Sequence, residues 1–93
     1  ADKVASVATT AGGFVANIRR ATDRGEVVLF RLRGGTWEET RLFGGSSALV
    51  RAVAADDSRV FAILLEGGGY RLIALSHDGR ATDIAMPDAR VPL

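Results

Sequence analysis

Turn signals punctuate this 93-residue chain every eight to twelve residues, a spacing that admits short strands and almost no helix. They are Thr10-Ala11-Gly12-Gly13, Thr22-Asp23-Arg24-Gly25, Gly34-Gly35-Thr36, Phe43-Gly44-Gly45-Ser46-Ser47, Asp56-Asp57-Ser58-Arg59, Glu66-Gly67-Gly68-Gly69, His77-Asp78-Gly79 and Pro87-Asp88. Glycine supplies the positive φ that tight hairpins need, and Asp and Ser bond the turn backbone with their own side chains. Between the turns lie eight short runs: Val4–Thr9, Phe14–Arg19, Val27–Arg33, Trp37–Leu42, Leu49–Ala54, Val60–Leu65, Tyr70–Ser76 and Ala81–Met86. No run keeps a helical period for long, so the spacing predicts an all-β chain of eight strands.

The runs repeat. Ser6-Val7-Ala8 followed by Gly13-Phe14-Val15-Ala16 matches Ala52-Val53-Ala54 followed by Arg59-Val60-Phe61-Ala62, at a shift of 46 residues. Gly25–Leu32 aligns with Gly68–Leu75, a register three residues shorter, attributed to the longer loop Arg20–Gly25 of the first copy. Two copies of a four-stranded unit follow, residues 1–47 and residues 48–93. A period in the mid-forties with four strands per copy lies in the range of propeller blades.

Polarity within each copy sharpens this. The inner runs are expected to be covered on both faces, since Phe14-Val15-Ala16, Val27–Phe30, Val60–Leu65 and Leu72–Leu75 are apolar without alternation. The fourth runs, Trp37–Leu42 and Ala81–Met86, are mixed and largely polar. Blades show this gradient, their inner strands sandwiched by neighbouring blades and the outermost strand wet. A single eight-stranded barrel or sandwich is the alternative, and it would show alternation in most strands.

From Val4 to Met86 the chain thus resembles a β-propeller repeat. Ser76-His77-Asp78-Gly79-Arg80-Ala81-Thr82 resembles a degenerate Asp-box, the Ser-x-Asp-x-Gly-x-Thr-Trp turn of sialidase-type propellers, and Gly35-Thr36-Trp37 echoes its end in the first copy. In length and repeat number the chain is similar to small trimeric propeller lectins. That resemblance implies two antiparallel blades whose ring is completed by oligomerisation, three copies giving six blades, or by the remainder of a larger propeller.

Composition removes several function classes. Twelve Lys and Arg against eleven Asp and Glu leave a formal charge of +1, and the basic residues are interleaved with acids, so nucleic acid is not an expected partner. Without cysteine there is no disulfide framework and no thiol chemistry. The longest wholly apolar run, Val60–Leu65, is too short to cross a bilayer, and the first residues lack the features of a signal peptide, so no membrane partner is expected. A single histidine excludes multi-His metal sites, and neither a metal nor a cofactor is expected.

The remaining chemistry is sparse. Ser76-His77-Asp78 has the residue types of a triad, but consecutive residues seldom put an imidazole between hydroxyl and carboxylate, so His77 is read as a turn residue. Asp56-Asp57 lacks the spaced oxygens of a calcium loop and is read as a turn former. The polar stretch Arg19–Glu26 offers Arg20, Asp23, Arg24 and Glu26 as partners for carboxylates or sugar hydroxyls, or for one another. Trp37 and Tyr70 are candidate stacking platforms. Arg51, the lone charge in Leu49–Ala54, is expected either to line a central channel or to pair with Asp56, Asp57 or Glu66. The reading is a non-enzymatic assembly or binding module. The alternatives are a lectin-like propeller and, further off, part of a glycosidase-type propeller, for which no acid is singled out.

Overall fold

The computed structural model describes residues 2–20, 25–44 and 49–85. They form eight strands: β1 (Lys3–Thr10), β2 (Gly13–Arg19), β3 (Gly25–Arg33), β4 (Thr36–Phe43), β5 (Leu49–Ala55), β6 (Arg59–Glu66), β7 (Gly69–Ser76) and β8 (Ala81–Ile84). Each expected run thus becomes a strand. The expected extension of the last one to Met86 lies outside the described residues. The strands make two separate antiparallel meanders, sheet 1 in the order β1-β2-β3-β4 and sheet 2 in the order β5-β6-β7-β8.

Local chemistry sets the hairpins. Arg33 pairs with Thr36 across Gly34-Gly35, and Glu66 pairs with Gly69 across Gly67-Gly68. In both loops the two central glycines have positive φ, 57° and 81° in the first and 58° and 81° in the second. These are type I′ turns, whose twist matches that of the strands they join. The β7–β8 loop is different. Gly79 N–H donates to the Ser76 carbonyl (3.0 Å) and Ser76 N–H to the Arg80 carbonyl (2.9 Å), a three-residue loop closed by the positive-φ Gly79.

The repeat extends to irregularities. The β1–β2 register skips Ala5 between Val4 and Ser6, and the β5–β6 register skips Arg51 between Val50 and Ala52. Both first strands therefore carry a β-bulge at equivalent positions, 46 residues apart. The third strands correct the alignment read from the sequence. Phe14 faces Phe30 and its equivalent Val60 faces Leu75, so β3 and β7 correspond at a shift of 45, not 43. A two-residue error keeps every side chain on its proper face, so apolar patterning could not reveal it.

One core joins the sheets. Val15, Val27, Leu29 and Leu42 of sheet 1 are buried with Val50, Val60, Ala62, Leu64, Ile73 and Leu75 of sheet 2. Paired residues share a face and neighbours along a strand alternate, so these side chains define an inner face on each sheet. β5 packs across β1, β2 and β3, while β4 touches β7. Among the described residues two side-chain hydrogen bonds cross this seam. Asn17, 2% exposed, donates through Nδ2 to the Val50 carbonyl beside the β5 bulge (3.0 Å), and Thr10 Oγ1 donates to the Asp56 carbonyl (2.6 Å).

Burial on both faces holds for β2 and β3, whose central residues are nearly all buried. It fails for β1, which is mostly exposed, and for β6, where buried Val60, Ala62 and Leu64 alternate with half-buried Phe61, Ile63 and Leu65 on the uncovered outer face. β1 is an edge strand of small and polar side chains, with Val4 and Val7 on the face that sheet 2 leaves uncovered. The polar fourth strands are exposed as expected, apart from the end of β4.

Candidate functional site

The residues singled out from the sequence do not converge. Arg20 donates from Nε and Nη2 to Glu26 Oε1 (2.9 and 2.6 Å) and from Nη1 to Asp2 (2.9 Å), and Arg41 lies 3.6 Å from the other Glu26 oxygen. Glu26, its side chain 15% exposed, is thus held between two guanidinium groups. These bonds, Glu26 first and then Asp2, hold the Arg20 guanidinium above its ordinary pKa. The cluster pairs its own charges: each guanidinium nitrogen of Arg20 already meets a carboxylate. Asp23 and Arg24 lie outside the described residues.

Trp37 stands at the other end of sheet 1. The Arg19–Gly25 pair and the Leu32–Trp37 pair are seven positions apart along β3, about 20 Å at strand spacing. Its indole meets the Phe14 ring edge-on (5.5 Å, 63°), and Phe14 stacks on Phe30 (4.9 Å, 16°). Tyr70 is on the other sheet. Arg51 is exposed at its bulge with no ion-pair partner among the described residues, so the expected pairing with Asp56, Asp57 or Glu66 is not made.

The Ser76–Arg80 turn is built from its own side chains. The Ser76 hydroxyl donates directly to Asp78, and Arg80 N–H reaches both Ser76 Oγ (3.1 Å) and Asp78 Oδ1 (3.3 Å). These bonds, Ser76 first, hold the Asp78 carboxyl below its ordinary range. Hydroxyl and carboxylate meet without an imidazole between them, which is turn architecture rather than triad geometry. Asp56 does the same in its own turn, accepting from Ser58 N–H (2.9 Å) and Arg59 N–H (2.7 Å), and its carboxyl is likewise lowered. Among the described residues no three His, Asp or Glu side chains gather as metal ligands.

The feature with capacity to bind is the pair of outer sheet faces. Among the described residues Val4, Val7, Leu32, Trp37 and Tyr70 are the large apolar side chains left exposed, with Trp37 at 52% and Tyr70 at 47%. The first four lie on the outer face of sheet 1, whose centre is the cluster of Ala16, Ile18 and Val28 under Phe14 and Phe30. Tyr70 faces outward from sheet 2 beside Leu65. That face also carries Ala52, Ala54, Phe61, Ile63 and Leu72, which line a shallow hollow of about 130 Å³. Beside it a wider pocket of about 280 Å³ is lined by Arg59, Ala74, Ser76, Arg80, Thr82 and Ile84.

The outer faces are repeat images of the covered seam. Val60, Leu64 and Leu75 on the inner face of sheet 2 correspond to Phe14, Ile18 and Phe30 on the outer face of sheet 1. Conversely Val15, Asn17 and Leu29 correspond to Phe61, Ile63 and Ala74 on the outer face of sheet 2. The runs of apolar residues foretold such faces. The Arg59–Arg80 pocket and the Asn17 bond were not legible, because both depend on which strands meet across turns and sheets. Comparison with family models, with curated protein sequences and with solved structures returns no match.

Proposed function

We propose that this chain is a non-enzymatic assembly and binding module of the β-propeller type. Its two sheets are two blades, and further copies complete the ring, three copies making six blades. The observation that carries this reading is the placement of the exposed large apolar residues: all five among the described residues lie on the two outer sheet faces. Scattered singly such residues need no explanation, but gathered on two broad faces they mark surfaces made to be covered. The repeat supports the same conclusion, since each outer face has the apolar pattern of a surface already buried inside the chain. Solution mass tests it. Light scattering at micromolar concentration should give a defined multiple of the 9.8 kDa chain. A well-folded monomer under those conditions would rule the reading out.

A lectin-like role is the second reading, favoured by the half-exposed Trp37 with its indole fixed by Phe14. Sugar faces stack on such rings. A glycan array with the native chain and with Trp37→Ala tests it, and signal that is absent, or indifferent to the substitution, removes it.

A further inference from the structure

Resting on the self-assembling reading above, we propose that copies join head to tail. The outer face of sheet 1 in one copy seats on the outer face of sheet 2 in the next, in the register of the internal seam. In that register Phe14 and Phe30 enter the pocket over Ala74, and Glu39 reaches Arg59 and Arg80.

Volume is the first argument. Inside the chain, Leu29 is buried with Val60 and Leu75. At the equivalent places on the outer faces the sizes are exchanged: Ala74 stands for Leu29, Phe14 for Val60 and Phe30 for Leu75. The loss of bulk at Ala74 opens the 280 Å³ pocket, and the gain of bulk on the opposite face is what would fill it. A close-packed interface needs this compensation of large by small.

Charge is the second. Glu39 lies opposite Phe30 on the outer face of sheet 1, exposed and without a partner among the described residues. The pocket on sheet 2 carries Arg59 and Arg80, the latter 87% exposed, whose ion-pair partners among the described residues are their local aspartates at 3.8 and 3.6 Å. Arg59 also lies over the Phe61 ring at 5.1 Å, which fixes it on this face. Head-to-tail packing sets the acid against the two bases. Packing either outer face on its own copy instead brings together two faces that carry Glu39, or two that carry Arg59 and Arg80, and like charge disfavours that pairing.

The test compares four chains by light scattering over a range of concentrations: native, Glu39→Arg, Arg59→Glu with Arg80→Glu, and all three substitutions together. The targets are exposed, and circular dichroism confirms that each chain keeps its fold. Head-to-tail assembly predicts that each one-sided variant needs at least about tenfold more protein to half-assemble, and that the triple variant recovers, because every seam again pairs opposite charges. High salt should shrink these differences. Ala74→Trp, which fills the pocket, should block assembly in a chain that remains folded. If the native chain assembles but the one-sided variants are unaffected, or the triple variant fails to recover, this register is wrong while self-assembly stands. If the native chain is monomeric, the reading beneath the proposal fails with it, and the remainder of a longer propeller becomes the partner to seek.

Discussion

Asn17 is the residue on which the internal seam turns. It sits in β2, buried on the inner face opposite Val27, and its amide satisfies the Val50 carbonyl at the β5 bulge. Removing it takes that donor away from a carbonyl in a buried seam. Asn17→Ala should therefore cost about 1–3 kcal/mol in urea unfolding. A change within experimental error would show that water or a shifted backbone replaces the bond. Nothing in the sequence around Asn17 signals this role, since asparagine reads as a turn former and its partner lies 33 positions away. The aspartates of the turns, by contrast, were legible from their neighbours. Asp56 and Asp78 both titrate below their ordinary range, because backbone and hydroxyl donors favour the charged form. A carboxyl depressed in the folded state adds stability that is fully present above its unfolded pKa and is lost as pH falls through the folded value. Asp56→Asn and Asp78→Asn should accordingly be less stable than the native chain at neutral pH. The difference should shrink in acid below the carboxylate range. Denaturant midpoints at the two pH values check this, and a gap that persists in acid would assign the loss to geometry rather than charge.

At the level of strands and turns, nearly all the organisation was readable. Hairpin glycines, apolar runs and the shift of 46 located every strand to within a residue or two at most ends, because local chemistry dictates turns. What misled was register between β3 and β7, where a slip of two preserves the alternation of faces and only the backbone pairing can tell. The edge character of β1 was also hidden, since it depends on what lies outside the sheet. Two substitutions probe this scale in opposite directions. Gly34 has φ of 57° with open space around it, a conformation asparagine adopts readily, so Gly34→Asn should stabilise the chain by about 0.5 kcal/mol through a less flexible unfolded state. Gly13 has ordinary φ, but a side chain there would run into the Phe30 carbonyl of the next strand. Gly13→Ala should cost about 1–3 kcal/mol or more by forcing β2 and β3 apart. Equal tolerance at the two sites would mean that this close approach relaxes freely.

For the whole molecule, the sequence implied two sheets and two uncovered faces, while the way they meet came only from the packing of β5 across sheet 1. Association that buries those faces must couple to folding by mass action. The melting temperature should rise by about 3–8 °C for a tenfold increase in protein concentration. A concentration-independent value would separate folding from assembly. The asparagine bond then acquires a meaning beyond its energy. In the proposed assembly two similar apolar seams form, the inner one between the sheets of a chain and an outer one between copies, and faces unable to tell them apart would pair without a fixed register. Ile63 occupies the place of Asn17 on the outward side, so the polar latch belongs to the inner seam and has no counterpart on the outer face of sheet 2. In the proposed assembly that single amide is what tells the closed seam from the faces left open to a neighbour.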